Sequence, residues 1–251
     1  MVLFAESWVQ CALLCSARGL SQACRMAWTP LSVLIANEYG LSMLEQAELL
    51  SAFPLGYALT QVLGGLISDH FGGKPVQSIA LLVCSLTLLA APTTPVEWLY
   101  WLYFFSGIVI GPMQPAYSAM TAAWFKPAEL GRVSSFADLA TVMGEFVATA
   151  AVPLLAAVVG WRGAFTVLGT IAASFAILWL LLAASRPPNA APPTAHQQQA
   201  AASVLAARST TSYSRLKAAL RVVLIKPLFA VVVQHMAFNG TKYMLAAWLP
   251  T

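Results

Sequence analysis

Residues 56–74 read GYALTQVLGGLISDHFGGK. Thirteen uncharged residues, Gly56 to Ser68, run up to Asp69, and the chain then meets Gly72, Gly73 and Lys74 within five positions. An uncharged, largely apolar run that ends on a carboxylate, a glycine pair and a cation marks the end of a buried helix and a tight turn into the next one. Gly56 and Gly64 lie eight residues apart and share a helical face, which permits close packing, while Tyr57 and Gln61 share another. Gly65 is expected to admit a neighbouring helix. Asp69 offers a carboxylate to a helix amino terminus or to an arginine, and Gly72 permits the turn before Lys74.

The same pattern of long apolar runs and short polar interruptions continues on both sides. Of 251 residues, 59% are hydrophobic and 9% charged, and the mean hydropathy is +0.75. A water-soluble fold with so few ionised side chains would lack a wettable surface, since soluble domains carry roughly 25% charged residues. Hydrocarbon is the solvent that fits. Seven spans are expected, with cores near 8–36, 47–67, 76–95, 98–122, 135–159, 163–185 and 228–249. Their lengths match the roughly 20 residues that a helix needs to cross the bilayer, and they are continuous rather than alternating, which excludes barrel strands. The fold class is therefore all-α, a polytopic membrane protein.

Lys74, Lys126 and Arg132 follow the second and fourth spans, and six of the 13 cations fall in residues 186–226 without a single acid. By the retention of Lys and Arg on one side, these loops are cytoplasmic, and so is the amino terminus. The stretch 186–226 reads as a Pro/Ala/Gln-rich linker followed by an amphipathic segment suited to the surface of the lipid bilayer. Three parts follow: a six-helix bundle over 1–185, the basic linker over 186–226, and a seventh helix over 227–251. The apolar run closes at Thr251 without a flanking loop, so a second half is expected to be missing from this sequence. Cys11, Cys15, Cys24 and Cys84 are read as small packing residues.

Gly65-Leu-Ile-Ser-Asp69-His-Phe-Gly72-Gly-Lys74 resembles the signature loop of the major facilitator superfamily, and Gly56-Tyr57-Ala-Leu-Thr60-Gln61-Val-Leu-Gly64-Gly65 is similar to the second helix of its anion:cation symporter branch. That branch includes sodium-phosphate, sialic-acid, vesicular glutamate and plastid phosphate carriers. Gly107–Ala116 and Trp124–Arg132 also resemble it, with Ile110 where the branch carries an in-membrane glutamate and Leu130 in place of an arginine. The likeness implies a six-helix amino-terminal half plus the start of a second, and secondary transport by alternating access. It implies a cytoplasmic latch of Gly65, Asp69, Gly72, Lys74, Glu129 and Arg132.

Counting back from the second-helix segment, the resemblance places Arg25 on the branch's first-helix arginine. Independently, an arginine deep in a span costs about 2.5–3.5 kcal/mol on insertion scales unless it faces water, an acid or a substrate. Its fork of donors suits a carboxylate or phosphate. The alternative is a structural ion pair with Glu145 or with an acid of the second half. Arg18 has no counterpart in the family and is read as a snorkelling or helix-end charge. Tyr57, Gln61, His235 and Asn239 are further candidates for lining the path, against an equal reading as helix packing. Glu145, seven residues after Asp138, is the candidate for replacing the lost coupling carboxylate.

The expected partners are a small anionic solute such as phosphate or an organic anion, Na+ or H+ as a coupling ion, and lipid. No cofactor or metal is expected. A nucleophile elbow, a phosphate loop and a metal-spaced cluster are missing from the sequence, which disfavours an enzyme, and loop orientation accounts for the positive charge without nucleic acid. Two alternatives remain: a facilitator-type carrier of another solute, such as a monocarboxylate or sugar, and a half-carrier that assembles without transporting.

Overall fold

The computed structural model describes residues 2–187, leaving aside the side chains of 2–6, 61–63, 66 and 69. The expected linker and seventh span, with His235 and Asn239, lie outside the described residues. Helices α1 (Val2–Met26) and α2 (Trp28–Tyr39) together make the first span, and α3 (Met43–Phe71) the second. Helix α4 (Gly73–Ala90), extended by a 3-10 turn, is the third, and α5 (Val96–Ile110) with α6 (Met113–Trp124) the fourth. Helix α7 (Pro127–Phe146) continues through a π-helical turn, Val147–Ala151, into α8 (Val152–Leu182). No strand occurs among the described residues. Met1–Pro187 form one unit.

Two stretches, Gly73–Thr93 and Pro127–Leu182, combine the length and apolarity of membrane-crossing helices. The second is 56 residues long and holds two spans, because Gly160 breaks the helix at φ 74°, a conformation that side-chain-bearing residues avoid. Large apolar side chains cover the outside, among them Val158 at 83% and Leu181 at 75% exposure, with Ile79, Leu86, Phe105 and Ile171. Water would penalise such a surface and hydrocarbon accepts it.

Prolines divide the spans, and each removes a backbone donor from the turn before it. Pro30 takes away the partner of the Met26 carbonyl, and α1 gives way to α2 at Ala27. Pro112 does the same to the Ile108 carbonyl between α5 and α6. There the Thr60 hydroxyl of α3 donates to the Ile108 carbonyl at 2.8 Å, which satisfies in a dry medium the acceptor that the proline orphaned.

Glycines set the helix spacing. A Cβ on Gly56 would lie 2.1 Å from the Phe104 carbonyl oxygen, and one on Gly144 would lie 1.9 Å from that of Gly19. Pairs α3–α5 and α1–α7 thus touch backbone to backbone. The expected role of Gly65 needs correction, since a Cβ there meets nothing within 4 Å among the described residues. Gly64 makes the approach instead, 2.8 Å from the Pro112 Cα. Gly72 adopts φ 84° and turns α3 into α4 as expected.

At the end of the bundle opposite Lys74, Glu38 of α2 ties to the start of the sixth span. Arg162 donates to both of its oxygens at 2.7 and 2.8 Å, and the Trp161 indole N–H donates at 2.6 Å. The Trp161 bond first, then Arg162, holds the Glu38 carboxyl below the usual carboxylate range.

Two outcomes follow from these contacts. Thr60→Val keeps the shape but leaves the Ile108 carbonyl without its donor, and thermal unfolding in detergent should show a loss of about 1 kcal/mol. A depressed carboxyl stabilises the fold fully above its unfolded value, near 4.3, and loses that contribution as pH falls through the folded value. Glu38→Gln should therefore lower the unfolding midpoint at pH 7, and the gap to the parent protein should narrow as pH falls through the folded value of Glu38.

Candidate functional site

Residues 18, 21 and 25 are spaced to share one face of α1. Arg18, Ser21 and Arg25 line a cleft with Tyr57 of α3, Ile110 of α5, Met113, Gln114 and Tyr117 of α6, and Thr141 of α7. Ile110 puts an apolar side chain where the branch's pattern has a carboxylate. The free volume is ≈ 30 Å³, against roughly 300 Å³ for a small-molecule pocket. The described residues alone do not enclose a small-molecule pocket there. A second, wider groove of ≈ 710 Å³ between α1, α7 and α8 carries Trp8, Phe136, Leu139, Met143 and Ile171 and no ionised side chain, so it offers nothing to a charged solute.

The two arginines are answered differently. Arg18 donates from Nε to the Thr141 hydroxyl at 3.3 Å and from Nη1 to the Gln114 Oε1. Its Nη2 lies 3.6 Å from the Asp138 carboxylate, and its guanidinium sits 4.6 Å over the Tyr117 ring. The expectation of a snorkelling or helix-end charge is thus overturned: its partners come from α6 and α7, with Gln114, Tyr117 and Thr141 lining the cleft and Asp138 on its exposed side. The signal in the sequence was the seven-residue spacing from Arg25, which puts both on one face.

Arg25 donates from Nη2 to the Gln22 Oε1, one turn back on α1, and lies 5.8 Å from the Phe53 and Tyr57 ring centres. Its Nε is buried with no hydrogen-bond partner among the described residues. The ion pairs among the described residues are Arg18–Asp138 and Arg162–Glu38, and Arg25 is in neither. Its backbone is fixed by the Tyr103 hydroxyl, which donates to the Arg25 carbonyl at 2.9 Å. Tyr103 stacks on Trp28 at 4.3 Å between ring centres.

Of the remaining expected site residues, Tyr57 lines the cleft, and the Gln61 side chain lies outside the described set. Glu145 is half-buried on α7 and is not among the residues lining the cleft. At the basic end, the Lys74 backbone N–H donates to the Ser185 hydroxyl at 3.3 Å, joining α4 to the exit of α8. Glu129 accepts from the Lys126 backbone N–H at 3.1 Å and so caps its own helix, while Arg132 is exposed. The Asp69 side chain lies outside the described set.

An apolar helical bundle with an outer surface of large apolar side chains is that of an integral, multi-pass membrane protein, and its inner face carries Arg18, ion-paired, and Arg25, in no ion pair among the described residues. The Major Facilitator Superfamily model matches residues 14–251, and the chain belongs to that family. It is 27% identical to the "Ascorbate transporter, chloroplastic" of Arabidopsis thaliana, over 99% of this chain and 46% of that protein. Sialin of Homo sapiens is 26% identical over 92% of this chain and 48% of its own length. The "Probable L-galactonate transporter" of Escherichia coli (strain K12) is 26% identical over 87% of this chain and 48% of its own length. The chain spans about half the length of these curated relatives, whose names agree with the anion:cation symporter branch that the motifs resemble.

Proposed function

We propose that this chain is the amino-terminal part of a secondary carrier of small organic anions or inorganic phosphate, driven by a coupling ion, Na+ or H+. The observation that carries the reading is Arg25. A guanidinium held among Phe53 and Tyr57, with a buried Nε lacking a partner and no carboxylate in ion-pair reach among the described residues, is a charge awaiting an anion. A bilayer-embedded protein does not keep such a group without return, since desolvated donors cost free energy until they are answered. The names of the relatives support the same class of solute. In this reading the solute crosses as one helical half rocks against the other, and the Gly72 turn, with Asp69, Lys74, Glu129 and Arg132, forms the latch at the basic end.

The test is uptake and binding of labelled phosphate, ascorbate and sialic acid by the full-length protein in proteoliposomes. Arg25→Ala should weaken binding of the transported anion about 100-fold, and Arg25→Lys should recover part of it, because a lysine keeps the charge and loses the fork. Unchanged affinity in Arg25→Ala would end the anion assignment.

A further inference from the structure

Arg18 and Arg25 stand about 10.5 Å apart along α1, at 1.5 Å per residue, and face the same cleft, yet their surroundings give them unequal electrostatic weight. Arg18 is largely covered, its side chain 17% exposed, while that of Asp138 is 76% exposed. Their separation of 3.6 Å exceeds the 2.7–2.9 Å of a charge-assisted hydrogen bond. Asp138 therefore does little to hold the Arg18 guanidinium in place. Gln114 and Thr141 do that, through Nη1 and Nε. What Asp138 contributes is charge: two guanidiniums against one carboxylate leave this wall with a single net positive charge.

That arrangement has a consequence for the ligand. An anionic group at Arg25 meets a cation that no described carboxylate counters. A second anionic group extending toward Arg18 would meet a cation already countered, with the Asp138 carboxylate beside it, and like charges at that range repel. A hydroxyl arriving at the same place finds the Gln114 amide, the Thr141 hydroxyl and Ser21, all on the cleft wall, and suffers no repulsion. Resting on the anion-carrier reading above, we propose that Asp138 is a specificity-determining residue that lowers the valence of the site, so that the protein prefers polyhydroxylated anions with one carboxylate over otherwise matched anions with two.

The pair of probes is L-galactonate and galactarate, six-carbon sugar acids with one and two carboxylates, each measured for equilibrium binding to the full-length protein in nanodiscs at pH 7. The parent protein should bind L-galactonate more tightly than galactarate. Asp138→Asn should move the ratio of the two affinities toward galactarate about tenfold relative to the parent, and charges elsewhere in the protein drop out of that change because parent and variant share them. Asp138→Glu should keep the parent ratio, and adding Arg18→Gln to Asp138→Asn should restore it, since the net charge of the wall returns to its original value. An unchanged ratio in Asp138→Asn, with both acids still bound, overturns the proposal and leaves the anion reading intact. So does binding of phosphate or ascorbate with neither sugar acid bound. If none of these anions binds, the anion reading itself fails, and this inference with it.

Discussion

A guanidinium enclosed by an apolar helical bundle must be answered by something, and the answers given to the two on α1 organise the inner face of this protein. Both depend on how closely the helices approach. The Gly19–Gly144 contact brings α7 against α1, which places Thr141 and Asp138 within reach of Arg18. Arg25 stands two turns further along, where α3 and α5 present Phe53, Tyr57 and Tyr103 instead of acids. Aromatic faces can attract a cation at this range without discharging it. The guanidinium is thus positioned without an ion-pair partner among the described residues.

The backbone obeys a related constraint. Hydrocarbon supplies no water to an orphaned carbonyl, so a helix break at membrane depth survives only where a neighbouring side chain serves it. Pro112 creates such a break between α5 and α6, and Thr60 serves it across the α3–α5 contact. The break matters to the site because Ile110 lies just before it, while Met113, Gln114 and Tyr117 lie just after it. Close packing through Gly56, Gly64 and Gly107 and the change of helix direction at Pro112 together place those side chains on the wall. Gly111 fits the same account, since a Cβ there would lie 2.0 Å from the Thr60 hydroxyl.

Much of this was legible in the residues. The third, fifth and sixth spans follow from apolar length alone, and Gly72 and Gly160, which end α3 and divide the fifth span from the sixth, take the positive φ that a turn of that sharpness needs. Arg25 and Tyr57 could be placed because a charge inside a span has few tolerable surroundings. The failures have one cause: spacing along a helix says which residues share a face but not which helix that face meets. Gly64 and Gly65 are adjacent glycines 100° apart in direction, and only the position of Pro112 distinguishes them. Arg18 matches no motif of the family, and its partners Gln114, Asp138 and Thr141 lie on two distant helices that no local pattern connects to it. Glu145, the expected replacement for the lost carboxylate, is not among the residues lining the cleft, and the carboxylate that pairs with Arg18 is Asp138, two turns earlier.

Where a carboxylate stands decides what it can do. At the position of Ile110, 2% exposed, a carboxylate would be desolvated, strongly coupled to its neighbours and costly unless paired or protonated. Asp138, on the solvent-exposed side of Arg18, keeps most of its hydration and acts at moderate strength. It therefore adjusts the potential along the wall without fixing its shape, which rests on the neutral Gln114 and Thr141. A site built in that manner can separate two jobs that a buried ion pair would merge: holding an arginine in place and setting how much of its charge a ligand feels. In the proposed reading, Arg25 offers its full charge to an anion, and Arg18 offers a reduced one beside three hydrogen-bonding groups.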